Sequence, residues 1–166
     1  MVDQIILASK SGVRKKILEE NKIDCLVEPA NIDEDSFKES LLKQKATPLV
    51  VSKNLAELKA NKVSQKFENE LVLGADSIID LNGEIISKPE NRTEALETLK
   101  KLNGRTHQLI SSVCISRGGS MIWNYTDKAS LTMKQMSEKE LEAYLVKISD
   151  EALYAYNVYQ IEGEGR

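Results

Sequence analysis

Ile5-Ile6-Leu7-Ala8 is a short apolar run closed by the polar stretch Ser9-Lys10-Ser11-Gly12. That pattern predicts a buried strand followed by a turn. Val13, Ile17 and Leu18 then recur at helical spacing to about Asn21, so the chain opens as strand, loop, helix. Asp24 to Glu28 reads as a second strand ended by Pro29, and Asn31-Ile32-Asp33-Glu34-Asp35 as an acidic turn. From Ser36 to Phe67 the pattern is helical with a break near Pro48; Val51, Leu55 and Leu58 mark its apolar stripe, with Ala56 and Val63 beside it. Leu71 to Ala75 predicts a strand that runs through Asp76 into Ile78-Ile79, and Asn82-Gly83 predicts a tight hairpin turn. Asn91-x-x-Glu94 and Ser137-x-x-Glu140 are capping-box patterns. The first opens a helix with Ala95, Leu96, Leu99 and Leu102, and the second a helix with Leu141, Tyr144, Leu145 and Ile148. Between them Thr106 to Arg117 alternates as a long strand, with Leu109, Ser111, Val113 and Ile115 on one side, and Gly118-Gly119 turns it into another strand. Strand–helix units mixed with hairpins predict an α/β fold with a mixed sheet flanked by helices.

The 166 residues suit a single domain, and 41% hydrophobic with 30% charged residues is an ordinary globular balance. A net charge of -3 disfavours a nucleic-acid coat. The apolar runs fall far short of the ~18–20 residues of a membrane helix, and no basic segment precedes the first strand, so neither a span nor a signal peptide is expected. Cys25 and Cys114 lack zinc-ligand spacing and read as reduced thiols of a cytoplasmic protein. The single histidine, His107, excludes multi-histidine metal sites and reads as structural. Trp123, Tyr125, Tyr154, Tyr156 and Tyr159 read as core or interface aromatics.

A few positions are hard to explain by folding alone. Ser9, Ser11 and the cations Arg14, Lys15 and Lys16 surround the start of the first helix. Cations there oppose the helix dipole by ~0.3–1 kcal/mol each, and a bound phosphate would offset that. Alone, this turn reads first as a solvated surface loop. Asp76 interrupts an apolar strand, where a carboxylate loses hydration unless it is paired, metal-bound or protonated; the other reading is a strand that switches faces there. Lys59 lies on the face of Leu55, Ala56 and Val63, where a lysine snorkels or points into a cleft. Pro89 holds Lys88 extended, which sets where that side chain leaves the backbone.

Ile6-Leu7-Ala8-Ser9-Lys10-Ser11 with Arg14, Asn31-Ile32-Asp33-Glu34, Leu55-Ala56-x-x-Lys59-Ala60, Gly74-Ala75-Asp76-Ser77, Lys88-Pro89, Gly104-Arg105-Thr106-His107 and Tyr159-Gln160-Ile161-Glu162-Gly163-Glu164-Gly165 occur in the order seen in Maf proteins. The resemblance covers essentially the whole chain. It implies a house-cleaning nucleoside triphosphate pyrophosphatase that hydrolyses a nucleotide, modified or non-standard ones included, to the monophosphate and pyrophosphate with Mg²⁺ or Mn²⁺. It also implies an elongated mixed sheet with two lobes around a cleft, the inosine triphosphatase-like fold, and often a homodimer. By this resemblance the chain is a single Maf-like domain over residues 1–166 that lacks the family's usual C-terminal segment. Asp76 is the implied proton acceptor, with Lys88, Lys59 and Arg14 catalytic beside it. Asp76 and Glu34 are the implied metal ligands, and Ser9, Ser11, Arg14, Val13, Ser77 and Glu162 the implied substrate contacts. The family is also linked to inhibition of septum formation, so the alternative is a non-catalytic nucleotide-binding regulator of cell division. A mere binder, however, has no need of Asp76 in a costly place together with Lys88, Lys59 and Glu34.

Val13, Ser77 and Glu162 stand where the branch selective for dTTP and UTP has Arg, Thr and Gln, so that selectivity is not carried over. Glu162 is similar to the branch acting on modified guanine nucleotides. A carboxylate there accepts from the guanine N1–H and exocyclic amine, a pairing that uracil and thymine do not reproduce.

Overall fold

The computed structural model describes residues 4–159. In chain order the elements are β1 (Ile5–Leu7), α1 (Gly12–Glu20), β2 (Cys25–Val27), α2 (Glu34–Lys43), α3 (Pro48–Ser64), β3 (Val72–Leu81), β4 (Glu84–Ile86), α4 (Arg92–Leu102), β5 (Thr106–Arg117), β6 (Ser120–Thr132), α5 (Glu138–Lys147) and α6 (Asp150–Tyr156). The strands form one sheet in the order β2-β1-β3-β5-β6, with β4 also pairing with β3. β1 is parallel to both β2 and β3, whereas β3 and β4 are antiparallel, so the sheet is mixed as the pattern predicts. The chain divides into two compact units, one holding the chain up to Ser77 with Ile110–Lys128, the other Ile78–Leu109 with the chain from Ala129 on.

In the first unit, α3 begins where Thr47 caps the N–H of Val50 and Pro48 occupies the first turn. Both suit a helix start, because the first N–H groups lack partners within the helix. Its buried line runs through Val51, Leu55, Ala56, Lys59, Ala60 and Val63. Leu58 is only half-buried, so Lys59 takes the inward position that the stripe assigned to Leu58. α3 crosses β3 at Gly74, where an added Cβ would lie 2.7 Å from the backbone nitrogen of Ala60 and overlap the carbonyl oxygen of Ala56. Only glycine admits that approach. On the same side, β5 buries Ile110, Ser112, Cys114 and Ser116, the face opposite Leu109, Val113 and Ile115. Small residues are needed there: Cys114 packs on Ala56 and Ala60, and Ser112 and Ser116 bond to Ser52 and Asn61.

Other positions depart from the pattern in telling ways. α1 buries no residue completely, and Ile17 is 52% exposed. The acidic turn at 31–35 runs into α2: Asp33 caps Ser36, and Glu34 and Asp35 lie in the helix's first turn, where acidic charge suits the dipole. β6 is an edge strand, and Trp123 and Tyr125 stack with centroids 6.3 Å apart at 49% and 56% exposure, so neither is a core residue.

The second unit packs Ile79, Leu81 and Ile86 against Ala95, Leu99 and Leu102 of α4 and Leu141 and Leu145 of α5. Asn82 and Gly83 both have positive φ, as an Asn-Gly hairpin turn requires. Ser137 and Glu140 form the complete capping box, whereas Asn91 caps Glu94 while Glu94 itself reaches the N–H of Glu90. His107 is buried with Nε2 2.6 Å from the Tyr159 hydroxyl, a structural contact. Among the described residues no helix is long and apolar enough to cross a membrane, and both cysteines are free.

Candidate active site

The chain leaves β1 through α1 to reach β2 on one side, then crosses through α2 and α3 to reach β3 on the other. The carboxyl ends of β1 and β3 therefore form a topological switch point, the place where open α/β sheets bind ligands. The register decides what collects there. The Ala8 N–H donates to the Leu73 carbonyl at 2.8 Å, and there β1 ends. Two residues further along β3, the Ala75 carbonyl points to the same side with no strand left to pair it. Arg14 takes that place, donating from Nη1 to the Ala75 oxygen and to Ser9 Oγ, both at 3.0 Å.

Ser9 is buried and its Oγ also accepts from the Ser11 N–H at 3.2 Å, while Ser11 Oγ caps the helix by accepting from the Arg14 N–H. Each hydroxyl thus keeps its own proton to donate. No acidic residue occupies the first turn of α1, which leaves the positive helix end unopposed.

Asp76 follows Gly74 by two residues, so both face α3. Because α3 lies close at Gly74, Lys59 Nζ reaches Asp76 Oδ1 at 3.1 Å and the Ala75 carbonyl at 3.4 Å. The same nitrogen lies 3.0 Å from Glu34 Oε1 at the start of α2. Lys59 is 6% and Asp76 5% exposed. Snorkelling is thus overturned for Lys59, because two carboxylates and a carbonyl hold its ammonium inside, and Asp76 does not switch faces into water. Burial pushes the Asp76 carboxyl above the ordinary carboxylate range; Lys59, by charge and hydrogen bond, and then Arg14 pull it back, while Glu34 pushes it further up. Burial also lowers the Arg14 guanidinium, against the opposing pull of Asp76 and then Glu34. Asp76 Oδ2 is buried with no hydrogen-bond partner among the described residues.

The donor set suits a hard divalent cation. Asp76 presents a buried, unclaimed carboxylate oxygen, and Glu34 lies on the same ammonium. Among the described residues no group of three or more His, Cys, Asp or Glu stands ready to hold a metal. Two carboxylates complemented by phosphate oxygens and water match Mg²⁺, which keeps much of its shell outside the protein.

Ser9, Ser11, Arg14, Glu34, Lys59 and Asp76 therefore converge within the first unit. Val13 is half-buried in the first turn of α1. Ser77 faces away from Asp76, with its Oγ 3.3 Å from Ser111 Oγ on the opposite face of the sheet. Lys88 is an exposed residue of the second unit, just beyond β4. Glu162 lies outside the described residues. Two features escaped the sequence reading: the Ala75 carbonyl shared by Arg14 and Lys59, and the buried hydroxyl pair Ser52–Ser112, in which Ser52 also reaches the Asp76 carbonyl. A carbonyl has no sequence signal of its own, and Ser52 differs from any helix serine only by its place beside Val51 on the inner face.

The model of the Maf family, described as Maf-like protein, matches residues 4–166. The chain belongs to the Maf family. Among Maf relatives, a Pelagibacter ubique (strain HTCC1062) protein named nucleoside triphosphate pyrophosphatase is 78% identical over 166 residues, covering 100% of this chain and 85% of its own. A Bartonella quintana (strain Toulouse) protein named 7-methyl-GTP pyrophosphatase is 37% identical over 165 residues, covering 99% of this chain and 82% of its own. A solved Staphylococcus aureus Ham1 protein aligns with TM-score 0.49 and 16% identity, over 78% of this chain and 70% of that one.

Proposed function

We propose that this Maf protein hydrolyses a nucleoside triphosphate to the monophosphate and pyrophosphate, a house-cleaning reaction on modified or non-standard nucleotides. The observation that supports this most is the buried Asp76 carboxylate, with one oxygen on Lys59 and the other unclaimed among the described residues, next to the Arg14 guanidinium. Water attacking the α-phosphorus must lose a proton, and the polyphosphate must be aligned and its charge neutralised. Asp76 Oδ2 takes that proton, and burial raises its basicity for the purpose. Arg14 binds phosphate oxygens, with Ser9, Ser11 and the α1 N-terminus donating to them. Lys59 stabilises the charge that develops on the leaving pyrophosphate. Glu34 and Asp76 hold a divalent cation, Mg²⁺ or Mn²⁺, which when bound neutralises phosphate charge.

The proposed base is a modified guanine. Relatives named 7-methyl-GTP pyrophosphatase support it, as does the acceptor chemistry of Glu162. Free thiols at Cys25 and Cys114 support work in the cytoplasm on free nucleotides. The test is a nucleotide panel with Mg²⁺ and product identification. The expected products are monophosphate and pyrophosphate, with kcat lowered about 10²–10⁴-fold in Asp76→Asn and the circular dichroism unchanged. Release of orthophosphate rejects the reaction, unchanged turnover in Asp76→Asn rejects the base, and a preference for dTTP or UTP rejects the guanine assignment.

A further inference from the structure

Lys59 is fully engaged. An ammonium carries three protons, and Lys59 Nζ has three oxygen neighbours: Glu34 Oε1 at 3.0 Å, Asp76 Oδ1 at 3.1 Å and the Ala75 carbonyl at 3.4 Å. No proton is left over for a phosphate, and at 6% exposure almost none of the residue meets solvent. Asp76, in contrast, is not used up, because its Oδ2 is buried and unclaimed among the described residues.

We infer that Lys59 is the resident counter-ion of the Glu34–Asp76 pair, and that a divalent cation binds these carboxylates in competition with the Lys59 ammonium. With no cation bound, Lys59 keeps the buried Asp76 and the half-buried Glu34 charges together and holds Asp76 in place. A dication held by the Asp76 and Glu34 carboxylates would take over that neutralising role and would repel the ammonium, as like charges a few ångströms apart do. Lys59 then gives up contacts to the carboxylates and regains protons to donate. Its release is coupled to the arrival of the cation, so the ammonium becomes available to a polyphosphate only once the site is charged. Arg14 remains where it is, anchored on Ser9 and the Ala75 carbonyl rather than on the carboxylates.

This rests on the proposed function for the identity of the site, and its test needs no turnover. Mn²⁺ alone is titrated into the full chain, and free Mn²⁺ is read by electron paramagnetic resonance. Lys59→Met is expected to bind Mn²⁺ about ten-fold more tightly or better, since a like charge has gone. Lys59→Arg, which keeps the charge, is expected to show no tightening, and Asp76→Asn to lose the site. Equal or weaker binding by Lys59→Met overturns the inference. A second measurement holds even if that variant fails to fold: in wild-type protein with ¹³Cε-labelled lysine, saturating Mg²⁺ is expected to shift the Lys59 resonance, and an unmoved resonance overturns the inference equally. A chain that releases no pyrophosphate yet shows the tightening would sink the proposed function alone. An active enzyme without the tightening would sink only the competition.

Discussion

Gly74→Ala tests whether the site depends on the close crossing of α3 over β3. A methyl at residue 74 would lie 2.7 Å from the Ala60 nitrogen and 2.9 Å from Ala60 Cβ, and would overlap the Ala56 carbonyl. These neighbours are mainly helix backbone, so no side chain can swing clear. The helix must withdraw, and forcing an extra methyl into a packed contact costs about 1–3 kcal/mol. For a chain of this length each kcal/mol lowers Tm by about 2–4 °C, so calorimetry should show a fall of roughly 2–12 °C. Lys59 is adjacent to Ala60 and moves with it, stretching its 3.0 and 3.1 Å contacts to Glu34 and Asp76. A displacement of about 1 Å in a positioned group costs up to ~10²-fold in rate. Pyrophosphate release, measured well below the lowered Tm, should therefore fall by one to two orders of magnitude beyond any loss from unfolding. A variant that melts within about a degree of wild type and keeps kcat within about two-fold would refute the reasoning.

Acid should weaken the second unit through His107. Burial holds this imidazole below its ordinary range, so under mild acid the unfolded chain takes up a proton that the native chain refuses. Its contribution is complete above about pH 6.5 and is lost as pH falls from there toward the native value, by no more than ~1.4 kcal/mol per pH unit. Urea unfolding at several pH values, compared with His107→Phe, should show a steeper acid loss in wild type, and parallel curves would reject the assignment. Arg92 donates to the Leu145 and Ile148 carbonyls at 2.7 and 2.9 Å and to Asp150 Oδ1, tying the start of α4 to the end of α5. Arg92→Met leaves those carbonyls unpaired and should cost about 1–3 kcal/mol in thermal unfolding; a Tm equal to wild type would show the clamp to be idle.

The elements that were legible in sequence are those whose signals are local. Asn82-Gly83 specifies its turn because both positions need positive φ, and Ser137 with Glu140 opens α5 because the two satisfy each other's N–H groups. The pattern starts α2 two residues late because Asp33-Glu34-Asp35 offers no apolar position from which a helical period shows. α6 escaped because Asp150–Tyr156 is too short to show a period. On β5, the buried face turned out to be Ile110, Ser112, Cys114 and Ser116 rather than the more apolar side. Alternation records which residues share a face, and the close approach of α3 makes the smaller side chains the buried ones.

For the candidate site the division is similar. Residue type and immediate context already marked Asp76, Lys59, Arg14 and the two serines as out of place, since a charge amid apolar neighbours is costly wherever it lands. Their meeting was not in the local pattern. It depends on β1 ending one pleat before Ala75, on β3 lying across β1 from β2, and on a glycine that lets α3 come down onto the sheet. Each of these joins residues dozens of positions apart, and a sequence read locally carries no distance between them. Chemistry was therefore written in the chain, while the tertiary structure decided which charges share a volume, because desolvation and pairing act through space rather than along the backbone.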